Sequence, residues 1–479
     1  LIDTKALRSR VLDLAIRGKL TEQLESDGTA EELYQQIQTE KQKLIKEDKI
    51  SPKPIPNLTE ADIPFEIPKE WKFVKFGDVS YIVRGGSPRP IKAYMTSAED
   101  GINWIKIGDV EKGGKYIYET KEKIKPEGEK KSRKVFSGDF LLTNSMSFGR
   151  PYISKIEGCI HDGWLLIRNL NGFDVDYLYY LLSSAYLYEQ FSDKASGSTV
   201  NNLNIDKVNS AIIPLPPLAE QKRIVARVEE IFRILDTIDE AQQKYSADVE
   251  SLKAKLITAG IQGKLTEQLE SDGTAEELYQ QIQTEKQKLI KEGKIKKEKP
   301  LPSIKPEEVP FEIPSSWKWV YLGEIFQHNT GKALNSANKE GTLLDYITTS
   351  NVYWEHFELK NLKQMYFTDE EIDKCTVTKG DLLICEGGDI GRSAIWNFDY
   401  DMRIQNHLHR LRGYISNICV KYYYYLMWLY KETGKIDGRG IGLQGFSSKR
   451  VHSLIVPLPP LAEQKRIANK LDELLIAMQ

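Results

Sequence analysis

Cysteine is scarce in this sequence. Cys159, Cys375, Cys385 and Cys419 are scattered over 479 residues with no CxxC pair. That argues for a reducing compartment and against a disulfide framework or a cysteine-based zinc site. Neither sign of charge dominates, and the formal net charge is −2. A small basic protein held on nucleic acid by bulk charge is excluded, so any DNA contact needs local positive charge or partners. No signal-peptide pattern opens the chain, and the apolar run Tyr422 to Tyr430 is about half of what spans a bilayer. A cytoplasmic location is expected. The first residue is Leu1, which leaves room for an initiator Met or further residues upstream.

Catalytic motifs are also missing. There is no N/D-P-P-Y/F/W run of the kind that grips a flipped adenine, and no GxxxxGK[ST] phosphate loop. The adjacent proline pairs sit in LPPL, ahead of helices. His407 and His409 form an HxH pair with no third ligand type nearby, so they read as surface or core histidines and no metal is expected. Glu386 to Ser393 (EGGDIGRS) lacks the strand–helix context of a nucleotide site and reads as a tight turn presenting Arg392.

What the chain does have is repetition. Thirty residues, Gly18 to Glu47, recur letter for letter as Gly263 to Glu292. PLPPLAEQKRI at Pro214 to Ile224 recurs at Pro457 to Ile467, and PFEIP at Pro64 to Pro68 recurs at Pro310 to Pro314. The spacing stays close to 245, so the chain is two copies of one unit.

The clearest periodicity lies in Leu218 to Leu256. Ile224, Val228, Ile231, Leu235, Ile238, Gln242, Tyr245, Val249, Leu252 and Leu256 alternate at steps of four and three, which predicts an a/d helical seam. Prolines 214, 216 and 217 stop any helix before it, and Gly260 and Gly263 mark its end. Such a rod, roughly 60 Å long, needs a partner helix. By the repeat, Ile467, Leu471, Leu474 and Met478 match the start of the seam, and Leu7, Val11 and Leu14 match its end. The two chain ends are therefore expected to continue one another as a second, antiparallel rod. Thr29 with Glu32, and Thr274 with Glu277, predict capping boxes on a shorter helix. Charged, proline-rich connectors follow at Lys49 to Pro56 and Lys294 to Pro306.

Two unlike segments lie between the repeats, about Ile63 to Ile213 and Val309 to Val456. They mix short β-rich runs, Gly turns and one aromatic helix each (Tyr177 to Tyr188, Tyr422 to Tyr430). They align at Gly138-Asp139 with Gly380-Asp381, at Gly149-Arg150 with Gly391-Arg392, and at late loops (Ser196 to Asn204, Arg439 to Ser447). Constant connectors holding diverged modules fit a spacer carrying two readers.

PLPPLAEQKRI, the GKLTEQ exit, the TAEEL stretches and the WKFV and WKWV openings at Trp71 and Trp317 resemble the specificity subunit of type I restriction-modification systems. The resemblance covers essentially the whole chain. It implies an α+β architecture: two globular α/β target recognition domains separated by two long antiparallel coiled-coil helices in a pseudo-two-fold repeat. The divisions expected are 1–50 (N-terminal conserved helical region), 51–213 (first recognition domain), 214–295 (central conserved region), 296–456 (second recognition domain) and 457–479 (C-terminal conserved helix). It implies a non-catalytic subunit whose partners are double-stranded DNA, two modification subunits and restriction subunits. The resemblance further implies that each domain reads one half of a split DNA sequence. S-adenosylmethionine, ATP and Mg belong to the partner subunits, which methylate adenine N6, translocate and cleave.

Arg and Lys can chelate guanine O6/N7, and Asn or Gln can pair with adenine N6/N7. The candidate readers in the first module are Arg84, Arg89 and Lys92, then Asn144, Ser145 and Arg150, then Ser198, Asn201 and Asn202. In the second they are Lys332, Asn335, Lys339, Arg392, Gln405, Asn406, Arg439 and Gln444. Arg150 and Arg392 share a scaffold position, which points to phosphate or the local fold rather than to bases. Asn201-Asn202 also suits an Asx turn. Two other readings stay open at this point: a coiled-coil adaptor holding two protein-binding modules, and a self-contained modification enzyme, which the missing motifs oppose.

Overall fold

The computed structural model describes residues 1–51, 54–111, 113–144, 148–192, 203, 205–335, 339–436 and 445–478. They form two compact units, Leu1–Gln243 and Lys244–Gln479. The boundary falls inside one helix, Leu218–Ile261. It begins directly after the PLPP prolines, which cannot donate to a helical turn and which fix an extended approach. No described helix is long and apolar enough to cross a membrane.

Each unit carries the same skeleton. In the first, strand Lys72–Lys75 pairs antiparallel with Ile212–Leu215. In the second, Lys318–Tyr321 pairs with Ile455–Leu458. The first and last strands of each module thus lie side by side, and the module closes on itself where it leaves the constant region. Inside it, a mixed sheet runs in the order Ser80–Arg84, Trp164–Asn169, Phe140–Thr143, Pro151–Ser154, Tyr116–Ile117. The second unit repeats the first four as Phe326–Thr330, Leu408–Gly413, Leu382–Cys385, Ser393–Ile395. A second sheet in each contains one parallel pair, Gly158–Ile160 with Ile102–Ile105 and Met402–Ile404 with Thr342–Ile347.

The two scaffold points seen in sequence now have physical causes. Gly138 and Gly380 hold φ of +95° and +94°, and Gly149 and Gly391 hold +69° and +81°, a region where a side chain is strained. The aspartate after the first glycine is buried in each unit. Asp139 takes a forked pair of bonds from Arg168, at 2.9 and 2.7 Å. Asp381 takes the same pair from Arg412, at 2.8 and 2.6 Å. Two modules with little sequence in common are therefore pinned by one buried, bidentate ion pair.

The identical thirty-residue repeat makes the same contacts twice. Both capping boxes form, Thr29 with Glu32 and Thr274 with Glu277. Leu33 and Ile37, and likewise Leu278 and Ile282, are buried in their units' cores. Lys41 Nζ donates to the Gly77 carbonyl at 2.7 Å, and Lys286 Nζ to the Gly323 carbonyl at 2.9 Å. Gln38 and Gln283 donate to the carbonyls of Asp78 and Glu324, both at 3.0 Å. Gly18 and Gly263 have φ of +67° and +70°; a Cβ there would come within 2.4 Å of Pro68 or 2.6 Å of Pro314, the last proline of each PFEIP.

PLPPLAEQKRI closes the arrangement. Trp71 Nε1 donates to Glu220 Oε2 at 2.7 Å, and Gln23 Nε2 and Thr21 Oγ1 donate to Glu220 Oε1 at 2.9 and 3.1 Å. In the second unit, Trp317 and Gln268 hold Glu463 at 2.7 Å each. The next residue, Gln221, accepts from Asp174 N at the start of the aromatic helix, and Gln464 accepts from Cys419 N. Arg223 grips Asp27 and Arg466 grips Asp272. Glu220, Gln221, Glu463 and Gln464 are all buried.

The helical seam is corrected in part. Within the first unit the N-terminal helix Thr4–Ile16 runs antiparallel to the first part of the long helix, with Thr4 bonded to Asp239 and Arg8 to Asp236. Ile224, Val228 and Leu235 are buried there, and Ile231 and Ile238 half-buried. In the second unit Ile467 and Leu471 of helix Leu461–Ile476 are buried and Leu474 half-buried. Tyr245 and Leu252, however, are 59 % and 47 % exposed, and Leu7 is 43 % exposed. Val11, Leu14 and Leu256 are only half-buried; the buried positions are Leu12 and Ile16, and Ile257 and Ile261. The stripe has moved on by one residue. A straight α-helix drifts about 20° per heptad against a 3.5-residue seam, and these ends pack on a module rather than only on a helix. The aromatic segment Tyr177 to Tyr188 is likewise two helices, Val175–Leu182 and Ala185–Phe191, broken where Ser184 caps the second.

Replacing Trp71 by Phe leaves a buried carboxylate oxygen without its donor. We expect a loss of about 2–3 kcal/mol in the denaturant unfolding of the full chain, with Trp317→Phe giving a similar loss. A change under about 0.5 kcal/mol for both variants rules out this role for the Glu–Trp contact.

Candidate nucleic-acid interface

The loops chosen from sequence converge on one end of the main sheet in each unit. In the first, Gly85 N bonds Trp164 O and Gly86 N bonds Ile160 O, which seats the RGGSPR loop beside the turn His161-Asp162-Gly163. Asn144 N bonds Gly163 O, and Leu203 N bonds Asn144 O. In the second unit, Gly331 N bonds Leu408 O, Glu386 N bonds His407 O, and Phe446 N bonds Glu386 O. Three connections and the end of the late glycine-rich loop thus meet at one sheet end, through equivalent backbone bonds. The first loop needs glycine at its base. A Cβ at Gly85 would lie 2.1 Å from His161 O, and one at Gly331 would lie 2.0 Å from Ile404 O.

Apart from the shared Arg150 and Arg392, most side chains at this end differ. Arg84, Arg89 and Lys92 are exposed. Asp162 organises the first two: Arg84 Nε donates to its carbonyl at 3.3 Å and Arg89 lies 3.7 Å from its carboxylate. The Ser87 hydroxyl, bonded to the same carboxylate at 2.9 Å, holds Asp162 below the usual carboxylate range. Asn144 is buried, and its Oδ1 has no partner among the described residues. Arg150 is half-buried, its guanidinium 5.7 Å over the Tyr152 ring. Ser145, Ser198, Asn201, Asn202, Arg439 and Gln444 lie outside the described residues.

In the second unit Lys332 is corrected as a reader, and Arg392 takes the local-fold role that its scaffold position suggested. Lys332 is only 9 % exposed in its side chain and is ion-paired with Glu371 at 2.5 Å; it also bonds Tyr366 O at 2.8 Å. Its charge is satisfied within the protein, so it braces the loop. Arg392 donates to Thr349 O at 2.7 Å and lies 4.7 Å over the Tyr353 ring, tying the main-sheet hairpin to the second sheet. That agrees with a role in the local fold rather than in base reading. Asn335 and Lys339, between Lys332 and strand Thr342–Ile347, are exposed, and Gln405 and Asn406 are half-buried on the adjoining turn, where Asn406 N bonds Lys332 O at 2.9 Å.

The HxH pair resolves into unlike residues. His407 is exposed beside Glu386. His409 is fully buried, 2.9 Å from a ring nitrogen of His328 and 2.6 Å from Phe446 O. No group of three or more metal-ligating side chains occurs among the described residues. Sequence reasoning missed His328, because nothing in a linear pattern pairs two strands 81 residues apart. It also missed the run Lys130, Lys131, Arg133 and Lys134, although four cations in five residues stand out in a chain of net charge −2.

The profile of the family described as "Type I restriction modification DNA specificity domain" matches residues 68–245 and 314–478, once per unit. The chain belongs to this family. It is 26 % identical over 98 % of its length to the type I restriction enzyme EcoAI specificity subunit of Escherichia coli, covering 89 % of that protein. It is 24 % identical to the Escherichia coli EcoEI specificity subunit, again over 98 % of this chain and 88 % of the relative. Its fold is similar to the HsdS subunit from Thermoanaerobacter tengcongensis, with a TM-score of 0.51 and 20 % identity over 87 % of this chain and 92 % of that one. A chain from an assembly of the type I R-M system gives a TM-score of 0.61 at 19 % identity with the same coverage.

Burial holds His328 and His409 neutral, pushed down to about 3 and about 4. An unfolded histidine takes its proton near 6.5. The unfolded state therefore binds more protons below that pH, and the stability due to this pair is present above about 6.5 and lost as pH falls towards about 3. We expect the thermal midpoint of the full chain to fall between pH 7 and pH 5, and His328→Asn to flatten that dependence. Equal pH slopes for both proteins eliminate the pair as its source.

Proposed function

We propose that this specificity-family chain supplies DNA sequence recognition and no chemistry. Each unit reads one half of a split, asymmetric target. The observation that carries this reading is the equivalent backbone convergence of loops at both sheet ends, lined by different side chains. Arg84 and Arg89 are the strongest base readers in the first unit, since they are exposed beside the reading loop, near Asp162, and a guanidinium can chelate guanine. In the second unit Asn335, Lys339, Gln405 and Asn406 line the corresponding loops, with Lys332 and Arg392 as braces.

The long helix and the two terminal helices serve as the spacer, paired antiparallel as a coiled coil, and they dock two modification subunits. S-adenosylmethionine, ATP and Mg act in the partner subunits. A net charge of −2 gives the chain little counterion release of its own. Tight binding therefore depends on partners that close around the duplex.

The test uses the chain with its modification subunits and a mapped methylation sequence. Arg84→Ala with Arg89→Ala is expected to relax recognition in one half-site only, by about 1–3 kcal/mol per lost bidentate contact, and to leave the other half and the gap unchanged. Loss of specificity in both halves, or methyl transfer by the purified chain alone, contradicts the proposal. Heptad insertions within Leu218–Ile261 test the spacer separately. They are expected to change the gap, with half-sites originally centred roughly one helical turn apart, and to leave the half-site sequences intact. Altered half-sites with a fixed gap refute the spacer role.

A further inference from the structure

The two reading ends are flanked by opposite charge. In the first unit, strand Arg133–Val135 pairs with Gly158–Ile160 at the edge of the second sheet. The segment leading into it, Pro126–Lys131, is a 3-10 turn. Ile160 O accepts from both Gly86 N and the Ser132 hydroxyl, at 3.2 and 3.0 Å. That shared acceptor stitches the RGGSPR loop to the basic run. Lys131 O would be 3.5 Å from a Cβ at Gly86, so the backbones run close together. Lys130, Lys131, Arg133 and Lys134 are all exposed. Lys134 is paired with Glu129 at 3.0 Å. Lys131 bonds the Tyr94 hydroxyl, and Arg133 bonds only the Ser132 carbonyl, at 3.1 Å. Lys130, Lys131 and Arg133 have no carboxylate partner among the described residues.

The corresponding place in the second unit is the approach to strand Thr376–Val377, which pairs with Met402–Ile404. There the chain forms helix Asp369–Cys375, with Asp369, Glu370 and Asp373 exposed. Its Glu371 faces inward and takes the charge of Lys332. The same topological shoulder therefore carries a net positive charge in one unit, where Glu127 and Glu129 lie among the cations, and a net negative charge in the other, where Lys374 is the one exposed cation of the helix.

We infer that Lys130, Lys131 and Arg133 form a phosphate-binding ridge beside the first reading loop, with no counterpart in the second unit. The ligand is the sugar-phosphate backbone of the duplex flanking the first half-site. The inference rests on the DNA-reading proposal above and adds an asymmetry to it: the first unit supplies more of the sequence-independent affinity. Cations at this place contact charge that every sequence carries, so they set register and strength without choosing bases. The acidic shoulder of the second unit repels the same backbone, which leaves its half-site to be held by base contacts and partners.

The experiment compares three forms of the full chain in complex with its modification subunits: wild type, Lys130→Gln with Arg133→Gln, and Glu370→Gln with Asp373→Asn. Each is titrated with a random-sequence duplex over a range of salt, and the methylated sequence is mapped. Loss of the ridge cations is expected to weaken binding about ten-fold near 0.1 M salt. It should make the slope of log Kd against log salt shallower by about 1 to 2, with the methylated sequence unchanged. The acidic-shoulder variant is expected to bind as well as wild type or more tightly. Retained binding with an unchanged slope overturns the ridge, as does a changed target sequence at constant slope. Equal weakening by both variants overturns the asymmetry. If the wild-type complex binds no duplex at all, the DNA-reading proposal fails and takes the ridge with it. All four substituted positions are exposed, so an unchanged thermal midpoint separates a binding effect from misfolding.

Discussion

A buried carboxylate at the head of each long helix anchors everything else. Glu220 and Glu463 are almost completely shielded from water. An ionised group in that position is tolerable only when donors converge on it. Those donors come from two separate places in sequence: the tryptophan that opens the recognition module and the glutamine that ends the GKLTEQ exit. Formation of the knot therefore requires helix, module and exit loop to be in register at once. Losing any one donor leaves a costly charge, so each participant is constrained by the others. The neighbouring glutamine extends the constraint to the aromatic helix, and the arginine two residues further on extends it to the thirty-residue repeat through Asp27 or Asp272.

This coupling accounts for the contrast between identical connectors and diverged modules. The repeat meets the module at its base through carbonyls and prolines, through apolar side chains buried in the module core, and through a few ion pairs such as Glu31 with Lys72 and Glu276 with Lys318. Carbonyl contacts do not depend on side-chain identity: Lys41 meets Gly77 before an aspartate, and Lys286 meets Gly323 before a glutamate. The base closes with its first and last strands paired. What lies between can then change freely, provided that the Asp–Arg pin and the four left-handed glycines persist.

Much of this organisation was legible in the sequence because it is local or repeated. The duplication repeats a run letter for letter, and the capping boxes, the proline stop before Leu218 and the glycine turns depend on residues a few positions apart and formed as expected. The family match agrees with the motif resemblance. Contacts between distant strands were not legible. Gly-Asp looked like a scaffold signal in both modules, but its partner arginine lies about thirty residues on, in a strand that shows no matching motif. Lys332 looked like a reader until strand pairing brought Glu371 to it. The start of the seam, Ile224, Val228 and Leu235, is buried, whereas Leu7, Tyr245 and Leu252 are exposed, since heptad periodicity carries no information about a non-helical neighbour.

Charge supplies the last step. Composition alone argued against a strongly basic surface, and that remains true of the whole chain. Screening in salt, however, confines an exposed charge to a neighbourhood of about 10 Å, so a duplex responds to the groups beside it rather than to the net sum. At the first reading end those neighbours are Arg84, Arg89 and the Lys130 to Lys134 run; at the second, the nearest exposed charges include Asp369, Glu370 and Asp373. Two units built on one skeleton can thus divide affinity and discrimination unequally. The backbone fixes where each loop stands, and on the proposed reading the unpaired charges beside it decide how firmly that loop is held against DNA.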